Sequence, residues 1–265
     1  LILLPASTLS FQPDGYSERL TAFVRGVANT AGIEKSVKAS AGGVDSDRLL
    51  LSWASDGSEN DNLLNLFDEL ALPCEAQDEI VAEIPDGAFF HLGYEGAAAP
   101  RVKFYCEYKS AVAASRTTLY TAWKWHPKVP GVVSVDEYRE HRVESQQAAE
   151  DIILLTFGGK AGRIEQGLLT VFKQCVAGGE IPLLLDVRRR GGGRNSLDLR
   201  CYGSQLRVHN ISALITSADL ELDCKGQLAQ ALGYHADAEL GHIAGGIDDY
   251  GAPFLTIYFG ARSLS

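Results

Sequence analysis

The sequence predicts an α+β fold in which an antiparallel sheet closes into a barrel with helices outside, built from repeated helix-strand-strand-helix units. Three observations carry that expectation. Segments of alternating polarity come in pairs, helical segments stand between most of the pairs, and the polar strand faces share an unusual chemistry of cations beside phenols. The 265 residues are 46% hydrophobic and 22% charged, which supplies a sizeable core. No linker or low-complexity tract divides them, so one domain over residues 1–265 is expected.

The elements follow in order. "DGYSERLTAFVRGVANTAGI" sets Leu20, Phe23, Val24 and Val27 at helical spacing and stops at Gly32. "EKSVKAS" and "SDRLLLSWAS" flank Gly42 and Gly43 as a hairpin, and "ENDNLLNLFDELALPCEAQDEIVAEI" reads as two helices broken at Pro73. "GAFFHLGYE" and "RVKFYCEYK" form the next strand pair across a small Gly/Ala/Pro loop, followed by the strand "TTLYTAWKWHP". From about 136 to 178 the pattern reads as mostly helical, clearest in "GRIEQGLLTVFKQCVAGG", while "IILLTF" is ambiguous between a strand and a buried helix. "IPLLLDVRR" and "SLDLRCYG" pair around "RRGGGRN", "HNISALITSADLELDCKGQLAQALGY" is helical, and "ELGHIAGG" with "APFLTIYFGAR" closes the chain around "IDDYG". "HLGYEG" before "APRVKFYCEY" parallels "HIAGGIDDY" before "GAPFLTIYFG", as a repeated unit would.

Successive side chains of a strand face opposite sides, so each strand yields two faces. One set reads Arg48 and Ser52; His91 and Glu95; Arg101, Lys103, Tyr105 and Glu107; Tyr120 and Lys124; Asp186 and Arg188; Ser196, Asp198, Arg200 and Tyr202; His242; Thr256, Tyr258 and Arg262. The opposite faces, such as Leu49, Leu51 and Trp53 or Leu183, Leu185 and Val187, suit packing under helices. A solvated sheet face has no special need for phenols beside cations, whereas an enclosed site does. A closed barrel of this many strands is too wide for side chains to fill and can hold a ligand. Cations would bind its anionic group, and aromatic faces could shield an adjacent carbocation.

In these features the sequence resembles the ABBA-type aromatic prenyltransferases, whose antiparallel barrels of helix-strand-strand-helix units hold the active site in the lumen. Members bind an allylic diphosphate with lumen Arg and Lys and shield it with Tyr, often as R-x-K-x-Y or K-x-Y on a strand. The matching positions are Arg101, Lys103 and Tyr105, then Arg200 and Tyr202, then Tyr258 in "FLTIYFG", and "LLLSWAS" resembles the family's first barrel strand. The resemblance implies transfer of a prenyl group from an allylic diphosphate to an aromatic small-molecule acceptor. Arg101, Lys103, Lys124, Arg188 and Arg200 would hold the diphosphate, Tyr105, Tyr202 and Tyr258 would shield the allyl cation, and Arg48 and Tyr120 would join them in binding substrate. Glu95, Glu107 and Asp198 are the candidates for the base that removes the ring proton. No cofactor is then required. Magnesium is possible, but Asp248 and Asp249 do not form D-D-x-x-D, because Tyr250, Gly251 and Ala252 follow.

Charge and motifs narrow the alternatives. A formal charge of −10 argues against nucleic-acid or anionic-membrane partners. No apolar run is long enough to span a bilayer, and "LILLPASTLS" lacks a basic n-region, so a cytoplasmic protein is expected. The five cysteines show no C-x-x-C and are odd in number, which fits buried thiols better than a metal cage or a disulfide framework. "RRRGGGRN" reads as a solvated turn for all but Arg188, and "FGGKAGR" has Ala161 where a P-loop needs Ser or Thr. His91, His242 and Glu107 could make a two-histidine, one-carboxylate metal site, but no spacing forces them together, and no metal ligand set is assigned. Ser204 in "YGSQL" lacks the second glycine of a hydrolase elbow. The main non-enzymatic alternative is a barrel that binds a small aromatic or anionic ligand without changing it.

Overall fold

The structure, a computed structural model, describes residues 14–57, 60–96, 100–109, 118–141, 143, 145–158 and 162–264. The opening stretch 1–10, part of the Gly/Ala/Pro loop (97–99) and residues 159–161 of the P-loop-like stretch lie outside the described residues. In chain order the elements are α1 (Asp14–Val27), β1 (Ala31–Ser40), β2 (Gly43–Asp45), β3 (Arg48–Ala54), α2 (Asn60–Glu69), α3 (Cys74–Glu83), β4 (Gly87–Glu95), β5 (Arg101–Tyr108), β6 (Thr118–His126), β7 (Val129–His141), α4 (Gln146–Phe157), α5 (Gly162–Ala177), β8 (Leu183–Arg189), β9 (Asn195–Arg200), α6 (Ser212–Glu221), α7 (Gln227–Gly233), β10 (Leu240–Ile247) and β11 (Pro253–Ser263).

Every strand pairing is antiparallel, and neighbours in space are mostly neighbours in sequence. Pairing of β11 with β1 closes ten strands into a barrel, and β2 lies outside that ring as a short extra strand on β1. Closure leaves no open edge on the ring.

Two apolar cores lie between barrel and helices. One packs α1, α2 and α3 on the outer faces of β3 to β6, with Trp53, Phe67, Phe90, Phe104, Trp123 and Trp125 buried together. Phe67 meets Phe104 and Trp125 edge-on, and the Trp125 indole N–H donates to the Leu70 carbonyl at 2.9 Å, tying α2 to β6. The other packs α4 to α7 on β1 and β8 to β11 through Phe157, Phe172, Leu199, Ile243, Leu255 and Ile257. Cys106 and Cys201 are fully buried on these outer faces, as alternation predicts. No described helix is long and apolar enough to cross a membrane.

Two expectations are corrected. Residues 136–141 are the end of a 13-residue strand, β7, and not part of a helix, whereas "IILLTF" lies in α4, capped by Ser145 and ended by Gly158 at φ 58°. The faces of β8 are also reversed. Leu185 and Val187 point inward and join Tyr120, Ala122 and Tyr138, while Asp186 and Arg188 point outward. Glu137 stands opposite Arg188 and Arg139 opposite Asp186 on that outer surface, where the Arg139 and Arg188 side chains are exposed to water. On β8, Asp186 and Arg188 therefore lie outside, and Leu185 and Val187 line the lumen.

Candidate active site

Alternation places one face of each strand in the lumen, which encloses a cavity of about 200 Å³. One end of it holds two cation clusters, each centred on a buried carboxylate. Glu95 receives Arg48 at 2.8 Å, Lys103, and Arg101 at 3.7 Å. Asp136 receives Lys124, Arg189 at 2.5 Å and Arg194 at 2.9 Å. Lys103 and Lys124 are register partners on β5 and β6, so the clusters adjoin. Lys38 of β1 adds a further ammonium near the Phe254 ring.

These cations outnumber their counter-charges, and burial makes the imbalance costly. Burial alone would raise the Glu95 carboxyl, but Arg48 and Lys103 hold it well below the usual carboxylate range. Burial and then the Arg194 guanidinium push the Lys124 ammonium down to about 7 against the pull of Asp136. Burial likewise lowers Lys103 and Lys38. Such a region favours an added anion, which would supply the missing negative charge.

Beyond the cations comes a layer of phenols. Tyr138 lies 5.9 Å from Tyr105 and 5.9 Å from Tyr120, ring centre to ring centre, and Tyr258 lies 3.8 Å from the His242 ring. Burial raises the pKa of Tyr105, Tyr120, Tyr138 and Tyr258, in the last case to about 12, so all four remain neutral phenols at pH 7.

The far end is organised by imidazoles. Asp198 bonds His242 Nδ1 at 2.8 Å, and Glu107 bonds His91 Nε2 at 3.1 Å. Arg200 stacks its guanidinium 4.8 Å from the Tyr120 centroid and 6.0 Å from that of Tyr202, with its buried Nε lacking a hydrogen-bond partner. The Tyr202 hydroxyl donates to Glu34 at 2.9 Å, and burial raises the Glu34 carboxyl.

Of the residues singled out by sequence, Arg48, Glu95, Arg101, Lys103, Tyr105, Tyr120, Lys124, Asp198, Arg200, Tyr202 and Tyr258 line the cavity, and Glu107 is joined to it through His91. Arg188 does not: its side chain is outside, 2.8 Å from Asp186. The glycine-rich turn supplies Arg189 and Arg194 instead, contrary to the solvated reading of those two. Asp136 and Tyr138 were missed with the strand that carries them, Lys38 was missed on a strand that the sequence does show, and continuing the Leu185, Val187 alternation would have found Arg189. His91 and His242 take separate carboxylates, and no group of three metal-ligating side chains occurs among the described residues.

A closed ten-strand antiparallel barrel of helix-strand-strand-helix units, with its polar site in the lumen, is the fold of the ABBA-type aromatic prenyltransferases. Three solved structures illustrate the likeness. Prenyltransferase PriB, in a ternary complex with L-tryptophan and dimethylallyl thiolodiphosphate, superimposes with a TM-score of 0.59 at 13% identity over 86% of this chain and 79% of its own. 5-Dimethylallyltryptophan synthase from Streptomyces coelicolor gives 0.54 at 11% identity, covering 86% and 80%. 6-Dimethylallyltryptophan synthase from Micromonospora olivasterospora, in complex with DMASPP and Trp, gives 0.53 at 13%, covering 86% and 81%. No family model and no curated protein sequence matches the chain. At these identities the likeness is one of fold.

Proposed function

We propose that the protein is an enzyme that transfers a prenyl group from an allylic diphosphate to an aromatic small molecule. The observation that carries the reading is the pair of carboxylate-centred cation clusters adjoining a layer of neutral phenols inside a closed barrel. The two clusters would take the two phosphates of a diphosphate, with Lys38, Arg48, Lys103, Lys124, Arg189 and Arg194 as ligands. As the allylic C–O bond breaks, the leaving oxygen gains charge that these preorganised cations stabilise. Tyr105, Tyr138 and Tyr258 would present ring faces to the allyl cation and keep water from it, while their neutral hydroxyls compete poorly with the acceptor. The acceptor would enter the space toward Tyr120, Arg200 and Tyr202, and its electron-rich carbon would attack the cation.

The reading extends to a single catalytic domain acting in the cytoplasm, where five free thiols are at home. Magnesium would enter only as a companion of the diphosphate. Asp249 at the mouth already pairs with Arg189 at 2.9 Å, and an Asp248 oxygen accepts the backbone N–H groups of Tyr250 and Ala252.

The test is calorimetric titration with dimethylallyl and geranyl diphosphate, with inorganic pyrophosphate as control, followed by product analysis with indole and naphthol acceptors. Diphosphate binding that weakens in Lys103→Ala, together with a prenylated product from the wild type, is expected. A diphosphate that binds and is recovered unchanged in the presence of acceptors would leave a ligand-binding barrel.

A further inference from the structure

Three residues on adjacent strands form a hydrogen-bonded chain in the lumen wall. Ser52 Oγ of β3 lies 2.7 Å from His91 Nδ1 of β4, and His91 Nε2 lies 3.1 Å from Glu107 Oε2 of β5. Strand pairing fixes the first contact, because Ser52 is the register partner of His91. The carboxylate at Nε2 selects the tautomer protonated there, so Nδ1 keeps its lone pair and accepts from the Ser52 hydroxyl.

The chain has direction. Ser52 and His91 line the cavity, and the Glu107 side chain is 25% exposed, so the path runs from the lumen toward water. The other buried carboxylates offer no such exit. Glu95 is enclosed by Arg48, Lys103 and Arg101, and Glu34 and Asp198 are 6% and 4% exposed at their side chains.

Attack of an aromatic carbon on an allyl cation leaves an arenium ion, which is a strong acid. Its proton needs an acceptor within reach and a way out more than it needs a strong base. We propose, resting on the prenyl-transfer reading, that Ser52, His91 and Glu107 are the relay that carries the ring proton from acceptor to solvent. The allylic C–O pair leaves with the diphosphate, and a ring π pair forms the new C–C bond. The C–H pair then restores the aromatic ring as Ser52 Oγ takes the proton and passes its own to His91 Nδ1. His91 releases the proton from Nε2 to Glu107, and water carries it away. Ser52 is the group that meets the ring; His91 and Glu107 act through it.

His91 must be neutral to receive the proton. It is faced by Ser52, by Glu107 and Tyr105 of β5, by Tyr120 of β6, and at longer range by Arg200 of β9 and His242 of β10. Burial, helped by Arg200 and His242, outweighs Glu107 and lowers its pKa below 6.5.

The experiment compares wild type, Ser52→Ala, Ser52→Thr and His91→Phe with dimethylallyl diphosphate and ring-deuterated indole, tryptophan and dihydroxynaphthalene. With the relay intact, C–H cleavage is expected to be fast beside the earlier steps, so the wild type is expected to show an isotope effect on kcat near unity. Ser52→Ala and His91→Phe are expected to lose roughly 100-fold in kcat and to show a primary isotope effect, with KM for the diphosphate little changed. Ser52→Thr, which keeps the hydroxyl, restores wild-type behaviour, and the acid limb of the kcat profile disappears in His91→Phe. Wild-type turnover with an unchanged isotope effect and acid limb in Ser52→Ala and His91→Phe would overturn the relay alone. A wild type that makes no product with any acceptor would overturn prenyl transfer and the relay with it.

Discussion

The two ends of the lumen hold carboxylates in opposite company. At the cationic end Glu95 and Asp136 each face three Lys or Arg side chains, while at the far end Glu107 and Asp198 each bond one imidazole. The first arrangement leaves positive charge in excess and invites an anion. The second is near balance and suits proton movement. A barrel of net acidic sequence thus concentrates cations at one end and sets carboxylates against imidazoles and the Arg200 guanidinium at the other.

The difference can be broken most forcefully at Asp136. Asp136→Asn leaves Lys124, Arg189 and Arg194 facing one another in a buried site, and should lower unfolding stability by roughly 3 kcal/mol, read by urea denaturation. If the carboxylate only weakened anion binding, the variant would instead bind pyrophosphate more tightly without loss of stability. Next in size is Lys103→Ala, expected to raise the Kd for dimethylallyl diphosphate by roughly 30-fold, about 2 kcal/mol, while the acceptor Kd moves little.

A smaller effect separates the ends by pH. The Lys124 pKa of about 7 lies far below the ordinary 10.5, so the ammonium is charged below pH 7 and loses its proton above it. Pyrophosphate binding should therefore weaken as pH rises through 7, relative to a Lys124→Arg variant that stays charged. Equal pH dependence in the two proteins would show that Lys124 keeps its proton. Further down, Tyr258→Ala should raise the share of prenyl alcohol formed by water capture by about tenfold, read by product chromatography. Arg188→Ala lies outside both ends and should change stability and diphosphate binding by less than about 0.5 kcal/mol.

Much of this arrangement is legible in the sequence where a strand has one apolar and one polar face. "RVKFYCEY" places Arg101, Lys103, Tyr105 and Glu107 inward and Val102, Phe104, Cys106 and Tyr108 outward, as alternation requires. β7 was illegible because Asp136, Glu137, Tyr138, Arg139 and Glu140 are polar on both faces, which removes the period-two signal and leaves a composition that suits a helix. β8 was readable as a strand but not as to its faces. Leu185 and Val187 are as suited to lumen as to core, and only the packing of the closed barrel, where they join Tyr120 and Tyr138, decides between them.

The sequence by itself determined the strand pairs apart from that of β6 with β7, the helices that separate most of them, and the inward set of cations and phenols on strands covered by helices, because apolar faces must be buried. The tertiary structure decided which carboxylate meets which cation, that Arg194 and not Arg188 enters the lumen, and that Ser52, His91 and Glu107 join. Those contacts cross between strands, and only closure of the barrel fixes the distances between them.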